Sequence, residues 1–255
     1  MIAKTAEDIA TLREGGHRLA KHLRLLKEMV KPGLPVRALE IRAGEMAEKD
    51  GDELAFLGYK TDKNERAYPA GLCVSINDCL VHGPASKNES IIENGDVVSI
   101  DFGIKHEGLF TDAAVTVIAG DADPEDLRLV RGTYEAIEAG IVVAQLGNTT
   151  GDIGHAVEKI AKKYDFGYPR NLSGHGVGTK LHEVPYVPNF GFPGTGTKLV
   201  EGLVIAIEPM MTRGTGELYV DKDGHSYRTK DGSRAAHVEH TVIITKNGPE
   251  ILTKE

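Results

Sequence analysis

The chain has 255 residues, a formal net charge of -8, and an ordinary globular composition with 40% hydrophobic and 27% charged residues. It is long enough for a substantial core, and its acidic balance argues against a general nucleic-acid binder. No apolar run reaches membrane-spanning length, the polar start from Met1 to Asp8 has no signal-peptide core, and Cys73 and Cys79 make neither a disulfide framework nor a four-ligand zinc site, so a reduced, cytoplasmic setting is expected.

Ile9, Leu12, Leu19, Leu23 and Leu26 fall near helical spacing and predict a helix over 6–31. Thr5 is its cap, with Asp8 as a loose capping box, and Pro32-Gly33 is its stop. A second helix is predicted over 36–49, with Leu39, Ile41, Ala43 and Met46 as its apolar positions. The segment 68–81 is turn-rich and then strand-like, and His82-Gly83-Pro84 closes it with a turn. Residues 96–101 alternate as a strand does, 113–118 are small and β-branched, and Gly108 supplies a turn between them. With that turn centred on His106-Glu107, Asp101 and Asp112 are directly opposed across a hairpin. Like charges in that position are destabilising. Either something positive lies between them or one is protonated. A divalent cation is the simplest answer, and a pair of edge-strand acids is the plain alternative.

The pattern then restarts. Pro124 opens a helix over 124–145, stopped by Leu146-Gly147, and a fourth helix covers 150–163. A Gly-rich strand-and-turn region follows. Residues 201–208 align with 94–101: both read polar, Gly, any, Val, any, small, Ile, acid. The chain therefore reads as an internal duplication, roughly 1–118 and 119–255, each part helix, helix, strands. Packed about a pseudo-twofold axis, the parts bring Asp101 and Glu208 to one site. Chance similarity over eight residues is the alternative, and the matching helix starts and stops stand against it.

Three further elements join these acids. His175 lies among Gly174, Gly176 and Gly178, a stretch without the Lys-Ser/Thr of a phosphate loop. A histidine in so bare a loop reads as a ligand or acid–base group more readily than as a core residue. His182 follows, but Pro185 and the glycines forbid a helical HExxH site, so it reads as a nearby donor. Glu208 ends an apolar strand, and Glu239 lies inside one, after Val238 and before Thr241, Val242 and Ile243. Each alone could be an edge carboxylate, but a buried acid needs a partner. Asp101, Asp112, Glu208 and Glu239 with a histidine carry too much negative charge for one divalent ion. They suit two ions about 3.5–4 Å apart. His82, beside Gly-Pro, is locally the weakest of the set, but it corresponds to His175 in the duplication.

In order and spacing, His82-Gly83, Asp101, Thr111-Asp112, Gly174 to Gly178, His182-Glu183, Glu208-Pro209-Met210 and Glu239-His240-Thr241 resemble the type I methionine aminopeptidases. The resemblance runs over essentially the whole chain, with no long insertion before the last catalytic strands. It implies an α/β pita-bread fold: two pseudo-twofold halves, each with antiparallel strands covered by two helices, as one catalytic domain over 1–255. It implies two divalent ions (cobalt, manganese, iron or zinc). Asp101 would chelate one ion, Asp112 and Glu239 would bridge both, and His175 and Glu208 would complete the other. A hydroxide between the ions would attack the scissile carbonyl. His182 would polarise the carbonyl oxygen, His82 would contact the amide nitrogen, and Glu208 would shuttle a proton. The implied substrate is the initiator methionine of nascent chains whose second residue is small. The implied enzyme is a cytoplasmic monomer in transient contact with the ribosome, with no membrane or specific nucleic-acid partner.

Tyr59, Tyr68 and Cys73 match the family's side-chain pocket. Phe56, Leu181 and His225 depart from it, standing where Cys, Phe and Trp are usual, which makes the pocket less aromatic and more polar on one wall. The alternatives are a proline-specific aminopeptidase or dipeptidase on the same fold, which usually carries a further N-terminal domain, and a non-catalytic peptide-binding relative, against which the full ligand set stands.

Overall fold

A computed structural model gives the fold for residues 1–60 and 66–255. Helix α1 (Ala6–Met29) begins with the capping box its sequence predicts: the Thr5 side chain accepts from the Asp8 amide, and Asp8 accepts from the Thr5 amide. It ends before residue 31 because Val30 is already extended, and Lys31 precedes a proline, which disfavours helical backbone. Helix α2 (Val36–Asp50) buries Leu39, Ala43 and Met46, which share one face, and stops at Gly51 with φ 76°. Ile41 lies off that face and is 56% exposed, so it is not the core position expected of it.

Short strands β1 (Glu53–Leu54), β2 (Cys73–Ile76) and β3 (Cys79–Val81) precede the long hairpin of β4 (Val97–His106) and β5 (Leu109–Ile118). The hairpin turn is Glu107-Gly108, with φ 45° and 91°. Two left-handed residues are what a two-residue type I′ loop needs. The turn is thus centred one residue beyond His106-Glu107. Asp101 pairs with Ala114 and Asp112 with Gly103, so the expected direct opposition of the two acids does not occur. They are diagonal neighbours on one face of the sheet.

Helix α3 (Pro124–Val143) starts with proline behind an Asp123 cap, and α4 (Thr150–Tyr164) starts with a Thr149–Asp152 capping box. Ala144 has left helical geometry, so α3 stops short of residue 145. Strands β6 (Ser173–Gly176), β7 (Glu183–Pro188), β8 (Val204–Ile207), β9 (Met210–Thr212), β10 (Leu218–Val220), β11 (Tyr227–Thr229), β12 (Ala235–His237), β13 (Glu239–Thr245) and β14 (Gly248–Ile251) follow.

The main sheet runs β1-β4-β5-β13-β8-β6-β7, with β2 on β4 and β14 on β13, and all its pairings are antiparallel. Its seam is β5 against β13, where Ala114 pairs with Glu239. Leu19, Leu23, Leu26 and Leu39 of α1 and α2 pack on Val98, Ile100, Phe102 and Ile104. Ile137, Ile141 and Ile153 of α3 and α4 pack on Ile205, Ile207, Val242 and Ile244. Side chains alternate along a strand, so Asp101 points away from the helices that Ile100 and Phe102 face. Two small sheets, β10-β11-β3 and β12-β9, complete the fold.

Candidate metal centre

Ala114 lies at the middle of the site. It pairs with Asp101 on one side and with Glu239 on the other. Its small side chain leaves room for the two acids beside it and for Asp112 two residues away. Asp101, Asp112 and Glu239 are all buried, and they offer oxygens within 4.8 Å of one another. His175, Glu208 and Glu239 form a second such group. Glu208 directly follows Ile207, whose pairing with His240 brings it beside Glu239.

His175 reaches the acids because its strand is squeezed between neighbours. A Cβ at Gly174 would collide with the Ala206 carbonyl, and one at Gly176 with the Val184 carbonyl. His175 Nδ1 lies 2.9 Å from the Gly176 carbonyl oxygen, which can only accept, so the ring's proton is on Nδ1. Nε2 is left as a lone pair, 3.5 Å from Glu208, 3.9 Å from Asp112 and 3.9 Å from Glu239. Burial lowers the pKa of this ring, which favours its neutral form.

The acids show what the site needs. Burial, then the charge of Asp112, raises Asp101 well above the usual carboxylate range; burial, then Glu208, does the same to Asp112; and burial, then Asp112, does so to Glu239. Asp101 Oδ1, Asp112 Oδ1 and Glu239 Oε1 are buried without a hydrogen-bond partner among the described residues. Orphaned carboxylate oxygens facing a bare imidazole nitrogen fit hard divalent cations.

His182 and His82 flank this group. His182 Nδ1 is 2.7 Å from the Tyr59 hydroxyl, and the ring stands edge-on to His175. Burial lowers His182 to about 2 and His82 to about 4, so both are neutral around pH 7. His82 has φ 60°, unusual for a residue with a side chain, and its ring stands edge-on to Tyr227. Glu183 accepts from the Thr179 and Lys180 amides and so ties down the turn before His182.

The acids, His82, His175 and His182 open on a cavity of about 310 Å³ whose far wall is Phe56, Tyr59, Tyr68, Cys73, Leu181 and His225. Every site residue singled out in the sequence therefore lines one cavity. The Tyr68 hydroxyl is 3.0 Å from Cys73 Sγ, and His225 stands edge-on to Tyr68 with Nε2 unpartnered among the described residues. Sequence reasoning missed Tyr227, which lines the same cavity, and His237, whose ring approaches Glu208. Local sequence offered no signal for His237, which ends β12 while Glu239 opens β13 in a different sheet.

The sequence profile of metallopeptidase family M24 matches residues 10–246. A curated methionine aminopeptidase of Aquifex aeolicus is 47% identical over 250 residues, covering 97% of this chain and 96% of that protein. The crystal structure of a methionine aminopeptidase from Thermotoga maritima superposes with a TM-score of 0.94 at 40% identity, with 100% of each chain covered. A prolidase from Pyrococcus furiosus superposes at 0.78 with 24% identity; the chain covers 66% of it, and that likeness shows the fold alone. The chain belongs to metallopeptidase family M24 and has its pita-bread fold. Within the family its full-length similarity is to the methionine aminopeptidases.

Proposed function

We propose that the protein is a metal-dependent aminopeptidase that removes the N-terminal methionine from polypeptides whose second residue is small. The observation that carries this reading is the buried set Asp101, Asp112, His175, Glu208 and Glu239, with its orphaned oxygens and its bare imidazole nitrogen. These residues would hold two divalent ions of manganese, iron, cobalt or zinc, with Asp101 ligating one, Asp112 and Glu239 shared by both, and His175 and Glu208 ligating the other. Bound there, such ions supply a Lewis acid and a water of lowered pKa.

The side chains do the rest. His182 is neutral, and when Nδ1 accepts from the Tyr59 hydroxyl its Nε2–H is free to donate to the scissile carbonyl oxygen. His82, also neutral, contacts the amide nitrogen that becomes the leaving amine. Glu208 would take a proton from the attacking water and deliver it to the leaving amine nitrogen. Phe56, Tyr59, Tyr68, Cys73, Leu181 and His225 enclose the methionine side chain. The chain is one catalytic domain over 1–255 made by duplication near residue 118, a reading supported by the two helix pairs covering separate stretches of the sheet. It works as a cytoplasmic monomer near the ribosome, because an initiator methionine is a feature of new chains.

The test is turnover of Met-Ala-Ser against Ala-Pro peptides, with and without chelator. Metal-dependent release of methionine from Met-Ala-Ser is expected. Preference for the Xaa-Pro bond, or turnover that survives complete chelation, would overturn the reading.

A further inference from the structure

His237 ends β12 and is 2% exposed, and the roles proposed above leave it without one. Its backbone is fixed: its amide donates to Ser99 Oγ at 3.3 Å and Thr116 Oγ1 at 3.1 Å, and its carbonyl accepts from Thr116. Nε2 lies 3.3 Å from Glu208 Oε2 and 3.8 Å from Glu239 Oε2, and neither ring nitrogen has a hydrogen-bond partner among the described residues. A buried imidazole N–H without an acceptor is costly. The carboxylates are the acceptors in reach.

Glu208 is thereby bracketed. His175 faces Oε1 at 3.5 Å, and His237 faces Oε2 at 3.3 Å. The two rings are not equivalent. The proton of His175 sits on Nδ1, against the Gly176 carbonyl, so its Nε2 cannot donate to Glu208. Among the described residues no acceptor claims the Nδ1 side of His237, so the proton of the neutral ring belongs on Nε2, where the carboxylates are. The Glu208 backbone is already held, since its carbonyl accepts from Asn189 Nδ2 at 3.1 Å and Pro209 follows it. What stays free is the rotation of its carboxylate.

We propose that His237 is a positioning residue whose Nε2–H donates to Glu208 Oε2 and fixes that carboxylate so that Oε1 faces His175 and the cation site. This rests on Glu208 acting as proposed above. Partners that orient a metal ligand typically change metal affinity or activity 10–100-fold when removed.

The experiment compares wild type, His237→Leu (similar volume, no donor) and His237→Gln (an amide N–H at similar reach). Mn²⁺ affinity is measured by titration calorimetry, and kcat and KM with Met-Ala-Ser. His237→Leu should lose about 10–100-fold in Mn²⁺ affinity or kcat, with KM within about threefold. His237→Gln should recover most of that loss. A Leu variant equal to wild type in both readouts, or a Gln variant as impaired as Leu, would overturn the proposal. In metal-free wild type, ¹⁵N-histidine NMR should find a proton on His237 Nε2, and a ring protonated on Nδ1 alone would overturn the proposal without recourse to any variant. Wild type that binds no Mn²⁺ overturns the metallopeptidase reading, and this inference with it, whereas normal wild-type binding with an indifferent Leu variant overturns this inference alone.

Discussion

Asp112 stands diagonal to Asp101 across the β4–β5 ladder, because Asp101 pairs with Ala114 and Asp112 with Gly103. Diagonal residues on one face lie about 7–8 Å apart at the backbone, against about 4.5–5.5 Å for direct partners. The direct partners here are alanine and glycine, so both carboxylates can lean into the space between them. That spacing suits a shared cation better than direct opposition would. Asp112→Asn should abolish metal-dependent turnover of Met-Ala-Ser. In metal-free protein at pH 8 the same change should raise the melting temperature, since it removes a repelling buried charge. Full activity in the variant would remove Asp112 from the site.

The raised pKa values of Asp101, Asp112 and Glu239 predict how metal-free protein responds to pH. Each group binds its proton more tightly folded than unfolded. Its stabilising contribution is therefore full below the ordinary carboxylate range near 4 and is lost as pH rises through the raised value. Cations that pair these acids should restore it. Chelation should accordingly lower the melting temperature more at pH 8 than at pH 6. At a hundredfold excess over Kd, the bound ion contributes about 2.7 kcal/mol, roughly 5–10 °C for a chain of this size. Equal shifts at both pH values would mean that the acids are not where the metal binds.

His182 offers a nitrogen close to Asp112 and His175, so ligand and donor are both geometrically open to it. The donor role predicts that His182→Ala loses about 10²–10³ in kcat, the effect of removing one oxyanion donor, while metal content stays at the wild-type level. Metal analysis of the purified variant decides, and loss of an ion would make His182 a ligand. Since His182 and His82 titrate at about 2 and 4, neither should produce an acid limb in the kcat profile between pH 5.5 and 8.

The pocket wall holds Phe56, Leu181 and His225, the positions expected to depart from the family pattern. His225 meets Tyr68 edge-on at 5.4 Å and leaves Nε2 unpartnered among the described residues. His225→Trp should favour methionine over norleucine by about 1 kcal/mol more than wild type does, the scale of one sulfur–aromatic contact. The ratio of kcat/KM for Met-Ala-Ser and norleucyl-Ala-Ser measures it. An unchanged ratio would place the side chain of the substrate away from His225.

Local chemistry by itself determined much of this protein. Thr5 with Asp8 marked the start of a helix because a capping hydroxyl and carboxylate act within one turn, and Gly108 marked a hairpin. The acids at Asp101, Asp112, Glu208 and Glu239 stood out because a carboxylate in an apolar strand is anomalous wherever the strand goes. Register was decided only by the folded chain. The Glu107-Gly108 turn moved the partner of Asp101 by two residues, from Asp112 to Ala114, and a two-residue shift keeps every side chain on its face and so costs nothing in composition or periodicity. Ile41 fits a helix pattern yet points to solvent, because only packing chooses the buried face. His237 was overlooked for the same reason. Nothing within a few residues makes a histidine before Val238-Glu239 unusual, and its meaning comes from Glu208, twenty-nine positions earlier, which antiparallel pairing brings to 3.3 Å.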